Sequence, residues 1–78
     1  MKKLLLVEDD LTLSKMLSTW LSKQGYDVAT ASSVRQARKS LDDGQPDVVL
    51  SDLRLPDADG TELLDWMRQN GLACPLII

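Results

Sequence analysis

The sequence contains no histidine and a single cysteine, Cys74. One thiol cannot close a disulfide within the chain, and without histidine a Cys/His metal centre is excluded. Cys74 therefore reads as an ordinary buried thiol. Long apolar runs are also missing. The longest are Leu4-Leu5-Leu6-Val7 and Leu76-Ile77-Ile78, far short of the roughly 20 residues that a membrane-spanning helix requires. Met1-Lys2-Lys3 ahead of an apolar run resembles the start of a secretion signal, but Glu8-Asp9-Asp10 interrupts it at once and no small-residue cleavage site follows. A cytoplasmic protein without membrane contact is expected. Repeats, low-complexity tracts and linkers are absent too, and there is no excess of positive charge. Nine Lys and Arg face twelve Asp and Glu, a net charge of −3, which argues against a nucleic-acid surface in this segment.

What is present is the composition of a globular domain, 44% hydrophobic and 27% charged over 78 residues, enough for one small core and no more. The apolar pattern alternates between run and stripe. Leu4-Leu5-Leu6-Val7 has the continuous character of a strand buried on both faces. Leu13, Met16, Leu17, Trp20 and Leu21 follow at the spacing of an amphipathic helix, which places Trp20 in the core, and Gly25 is suited to stop that helix. Residues 26–31 read as a second strand. Ser33 with Gln36 forms a capping box for a helix that carries Val34, Ala37 and Leu41 inward. Gly44 and Pro46 end it, and residues 47–52 read as a third strand. A loop of Pro, Asp and Gly leads to a helix over 61–69 with Leu63, Leu64 and Met67 on one side and Trp66 at the half-exposed edge of that stripe. Asn70-Gly71 closes it, and residues 74–78 open a fourth strand. The order β-α-β-α-β-α-β with short connections implies a parallel sheet covered by helices.

Parallel sheets bind ligands at the carboxyl ends of their strands. Glu8, Asp9 and Asp10 follow the first strand, and Asp52 closes the third. If those strands are neighbours, the carboxylates converge, and two of them about 5 Å apart at an effective dielectric near 20 repel by roughly 3 kcal/mol. Such a cluster calls for protons or a cation, and hard oxygen donors without His or Cys suit Mg²⁺. Asp52 then becomes a candidate nucleophile. Asp10 reads as the cap of the first helix. Asp57 and Asp59 form a D-x-D string of the kind some phosphatases use, but Asp52 has Arg54 two positions on, so the pair reads as loop formers.

The stretches "LLLVEDD" at 4–10 and "DVVLSDLRLPDADG" at 47–60 together resemble the receiver domain of bacterial two-component response regulators. The resemblance spans the chain and implies an α/β, flavodoxin-like parallel sheet in the order 2-1-3-4. It implies Asp52 as the phosphoacceptor for a sensor histidine kinase, Asp9 and Asp52 as Mg²⁺ ligands, Glu8 acting through a metal-bound water, and Arg54 offering its backbone carbonyl. Pro56 and Gly60 would shape the loop. Arg54's own side chain reads as a solvated loop cation. The family also uses a Ser or Thr at the end of a fourth strand and a Lys at the end of a fifth, and the sequence ends at Ile78 before either, so residues 1–78 are read as a partial receiver domain, truncated after the fourth strand. That reading makes it a signalling module rather than a turnover enzyme. It leaves the edge of the fourth strand, Leu76 to Ile78, to self-association, domain swapping or the remainder of a longer chain. Two other readings compete: a truncated or engineered half-domain with a purely structural role, and a Mg²⁺-dependent phosphohydrolase, which would lack its general acid/base at the required position.

Overall fold

The computed structural model describes residues 1–52 and 54–77. Its elements are β1 (Lys2–Val7), α1 (Leu11–Lys23), β2 (Tyr26–Ala31), α2 (Val34–Asp43), β3 (Val48–Ser51), α3 (Gly60–Gln69) and β4 (Leu76–Ile77). The strand pairings described are all parallel, as the sequence pattern predicts, and the sheet order is β2-β1-β3-β4, as the receiver resemblance implies. Strands β3 and β4 are shorter than expected. Ile78, expected at the end of the fourth strand, lies outside the described residues.

Because successive strand residues face opposite sides, the apolar run of β1 feeds two cores. Leu5 and Val7 point toward α2 and α3 and join Ala31, Val34, Ala37, Leu41, Val49, Leu63 and Met67 in the larger one. Leu4 and Leu6 point toward α1, where Leu21 is their buried partner and Leu17, Tyr26, Val28, Val48 and Leu50 are half-covered. This second face is thinly protected. Two helices cover one side of the sheet and one helix the other.

That asymmetry corrects the reading of α1. Leu13, Met16 and Trp20 are 40, 64 and 58% exposed, so Trp20 is not a core residue. The helix sits on the sheet through Ser14 and Leu21, both buried. At 100° per residue the apolar arc from Leu17 through Leu13 to Trp20 is turned off that contact line. Ser18 and Ser22 lie toward Val28 and Thr30 of β2, so the apolar flank faces away from β2, on the side of β3. A small residue at the contact point lets the helix approach closely, and the larger apolar side chains are left beside it.

The caps follow the sequence more closely. Asp10 accepts from Thr12 and Leu13 amides at the start of α1. Gly25, at φ 98°, takes the left-handed conformation that ends it. Ser33 Oγ accepts from the Gln36 amide, but the Gln36 side chain reaches the amide and hydroxyl of Ser32, one residue earlier than a capping box predicts. Trp66 is half-buried, as its edge position suggests, and Arg38 of α2 lies over its ring at 5.6 Å. Cys74 is half-buried rather than enclosed, and desolvation raises its pKa.

Candidate functional site: an acidic cluster at the carboxyl ends of β1 and β3

The register of the sheet builds the site. Val7 pairs with Ser51 as the last rung between β1 and β3, so Glu8 and Asp52 leave adjacent strands at the same level. Two backbone bonds hold this exit: the Glu8 amide donates to Ala31 O, and the Asp52 amide to Val7 O, both at 2.9 Å. Glu8, Asp9 and Asp52 each place a carboxylate oxygen within 4.8 Å of the others. Glu8 is buried, Asp52 half-buried and Asp9 exposed, so the cluster opens to solvent on one side.

Glu8 carries the electrostatic signature of the arrangement. Burial pushes its carboxyl above the ordinary range, and the negative charges of Asp52 and Asp9 push the same way; a hydrogen bond from the Asp10 amide opposes them in part. That bond, 3.2 Å to Oε1, also turns the chain toward α1. Asp10 stands outside the trio and serves as the helix cap.

The loop after Asp52 is closed on itself. The Arg54 amide lies 3.4 Å from Asp52 Oδ1, the Leu55 amide donates to Ala58 O, and Arg54 bridges Asp59 in antiparallel fashion. Asp59 caps α3 by accepting from the Thr61 and Glu62 amides. The Arg54 side chain is exposed, and Pro56 sits at the exposed bend. Asp57 does more than form the loop: its two oxygens accept from the Val34 and Arg35 amides at the start of α2, each at 2.9 Å. These bonds hold its carboxyl below the ordinary range, the Val34 amide contributing most. No spacing rule connects residues so far apart in the chain, and sequence reasoning had no signal for this tie.

The donor set suits a small hard cation. Three carboxylate oxygens converge without nitrogen or sulfur, and the buried Glu8 carboxylate calls for either a proton or a counter-charge. An open, mainly apolar concavity lies elsewhere, along the exposed side of α1 between Leu11, Met16 and Trp20. Its lining of Leu11, Met16 and Trp20 with Thr12, Lys15, Thr19 and Lys23 holds none of the three convergent carboxylates, so the acidic cluster is the better candidate for chemistry.

Comparison with known proteins bears on this geometry. The family described as response regulator receiver domain matches residues 4–78. The alkaline phosphatase synthesis transcriptional regulatory protein PhoP of Bacillus subtilis is 36% identical over 77 residues, 99% of this chain and 32% of that protein. The transcriptional regulatory protein KdpE of Staphylococcus aureus is 40% identical over 68 residues, 87% of this chain and 29% of that protein. Among solved structures, the chemotaxis response regulator CheY4 of Vibrio cholerae superposes with a TM-score of 0.92 at 31% identity, covering 97% of this chain and 65% of that one. The response regulator TrrA of Thermotoga maritima, solved in complex with Mg²⁺ and BeF, superposes with a TM-score of 0.93 at 28% identity, covering 100% of this chain and 68% of that one. The chain thus spans about a third of these two curated relatives and about two thirds of these two solved structures. Among the described residues no helix is long and apolar enough to cross a membrane.

Proposed function

Since the chain belongs to the response regulator receiver domain family, we propose that it is a phosphoacceptor module in which Asp52 takes a phosphoryl group from a sensor histidine kinase with Mg²⁺ held at the acidic cluster. The observation that carries this reading is the convergence of Glu8, Asp9 and Asp52 at the ends of two adjacent parallel strands. Asp9 and Asp52 would hold the metal directly, Glu8 through a water, and Arg54 through its carbonyl. When bound, the ion supplies positive charge that screens the carboxylates and steadies the arriving phosphoryl oxygens. Asp52 supplies the nucleophile: a carboxylate oxygen bonds to phosphorus, the bond from phosphorus to the donor imidazole breaks, and the electron pair stays on the imidazole nitrogen. The purely structural reading is not favoured, because a scaffold has no use for three mutually repelling carboxylates on one rim.

Mg²⁺ titration followed by amide NMR shifts tests the site. Shifts at Glu8, Asp9 and Asp52 are expected, and their persistence in a chain carrying Asp9→Asn and Asp52→Asn together would refute it. The pH dependence has a defined sign. A raised carboxylate pKa means that the fold binds the proton more tightly than the unfolded chain. Glu8 therefore stabilises the metal-free fold at low pH, and this contribution is lost as pH rises through the raised pKa. Mg²⁺ competes with that proton, so its affinity is expected to fall as pH drops through the same window. Glu8→Gln should raise the urea midpoint of the metal-free chain at neutral pH and remove this part of the pH dependence of Mg²⁺ binding.

We further propose that the β4 edge and the thin α1 face are covered in the working molecule by a second copy, a swapped element or further chain. Half-buried Leu76 and exposed Ile77 line that edge, and Val48 and Leu50 are only half-covered on the α1 side. An unpaired apolar edge favours pairing with another chain. In light scattering the 78-residue chain is expected to show mass above 8.7 kDa that grows with concentration. A dispersed monomer with a concentration-independent melt would refute the proposal.

A further inference from the structure

The geometry points to Asp57 as a positioning residue for the acidic site, tying the loop that follows Asp52 to the first turn of α2. This rests on the phosphoacceptor reading and extends it to a residue away from the cluster. Asp57 spends both oxygens on the Val34 and Arg35 amides, two of the four donors that a helix start leaves without internal partners. The tie is not needed for the helix to begin, because Ser33 already caps α2 locally through the Gln36 amide. Its mechanical consequence falls on the loop. The loop is fixed at its root by the Asp52 amide on β1, and at its far end by Asp59 on α3. Between those points Arg54 faces Asp59 across the bridge, and the Leu55 amide closes onto Ala58 O at 3.2 Å. Asp57 lies at the tip of this closed turn and is its hydrogen-bonded hold on a second helix. Releasing the tip lets the Arg54 main chain swing, and with it the carbonyl assigned to the metal. Groups that orient a ligand without touching the metal set its affinity in this way.

The test uses the full chain, at a temperature where melting curves show every variant folded. In Asp57→Ala the Mg²⁺ dissociation constant from amide NMR titration is expected to rise about tenfold, the low end for an outer partner of a metal ligand. Asp57→Asn, which keeps one acceptor oxygen, should fall between it and the wild type. Ser33→Ala weakens the same helix end without touching the loop and should leave Mg²⁺ binding unchanged. Wild-type affinity in Asp57→Ala, or an equal loss in Ser33→Ala, would overturn the proposal, because the role would then be only that of a helix cap. Hydrogen exchange without metal gives a second reading. The Arg54 and Leu55 amides should exchange faster in Asp57→Ala and not in Ser33→Ala, and unchanged exchange would overturn the tether itself. A wild-type chain that binds no Mg²⁺ refutes the metal reading of the site, and the tether is then decided by the exchange result alone.

Discussion

Asp52→Asn is expected to abolish stable phosphoryl uptake from a small donor such as acetyl phosphate, read as the loss of a hydroxylamine-labile mass increment. The substitution keeps the size and the hydrogen-bonding shape of the side chain but removes the carboxylate that would attack phosphorus. Mutating a nucleophile typically removes the covalent step outright, whereas mutating a group that stabilises charge slows it by factors of about a hundred to a thousand. Asp9→Asn should therefore behave differently from Asp52→Asn. It leaves the nucleophile in place and weakens Mg²⁺ binding, so uptake becomes slower and is partly restored by raising the Mg²⁺ concentration. No Mg²⁺ concentration should rescue Asp52→Asn. A labile increment of wild-type size in Asp52→Asn would move the acceptor to another residue. Equal behaviour of the two variants would remove the division of labour between them.

The second large effect is on stability. Leu63 of α3 is fully enclosed in the larger core with Leu5, Val7, Val49 and Met67. Leu63→Ala removes buried methyl groups and leaves a cavity that the surrounding side chains only partly close, at a cost of about 2 to 5 kcal/mol. A chain of 78 residues has a total stability on the order of 4 to 12 kcal/mol at about 0.05 to 0.15 per residue. The single truncation thus takes a large share, and the urea midpoint should fall sharply with little change in slope. Trp20→Ala removes a larger side chain yet should cost far less. Trp20 is 58% exposed on the flank of α1, and surface substitutions stay within about 0.5 kcal/mol where no buried group is lost. If Trp20→Ala proves as costly as Leu63→Ala, that flank is covered in solution. The covering proposed for this face would then already exist in the material measured.

The strand and helix order was legible because each element here announces itself locally. The four-residue apolar run of β1 is too short for a helix and too uniform for a one-sided strand. Asp10 and Ser33 take the cap positions their chemistry favours. Asp52 was legible for a different reason: a carboxylate placed directly after an apolar strand is a local anomaly that invites a chemical explanation. The sheet order was half legible, since short right-handed crossovers restrict the arrangements and the receiver resemblance chose among them.

Three things were decided only by the tertiary structure. The orientation of α1 was one, because helical periodicity defines an apolar arc but not which part of it meets the sheet. Ser14 and Leu21 made the contact, and Leu13, Met16 and Trp20 stayed beside it. The raised pKa of Glu8 was another, since it depends on burial and on Asp52, a residue of another strand. The third was Asp57. Turn chemistry explains an aspartate in that loop, but its bonds to Val34 and Arg35 exist only because the parallel sheet brings the start of α2 and the loop after β3 to the same rim. Local propensity and strand chemistry are written along the chain over a few residues. Which carboxylate repels which, and which loop leans on which helix, depends on strand register and helix packing, and those are set by the whole core at once.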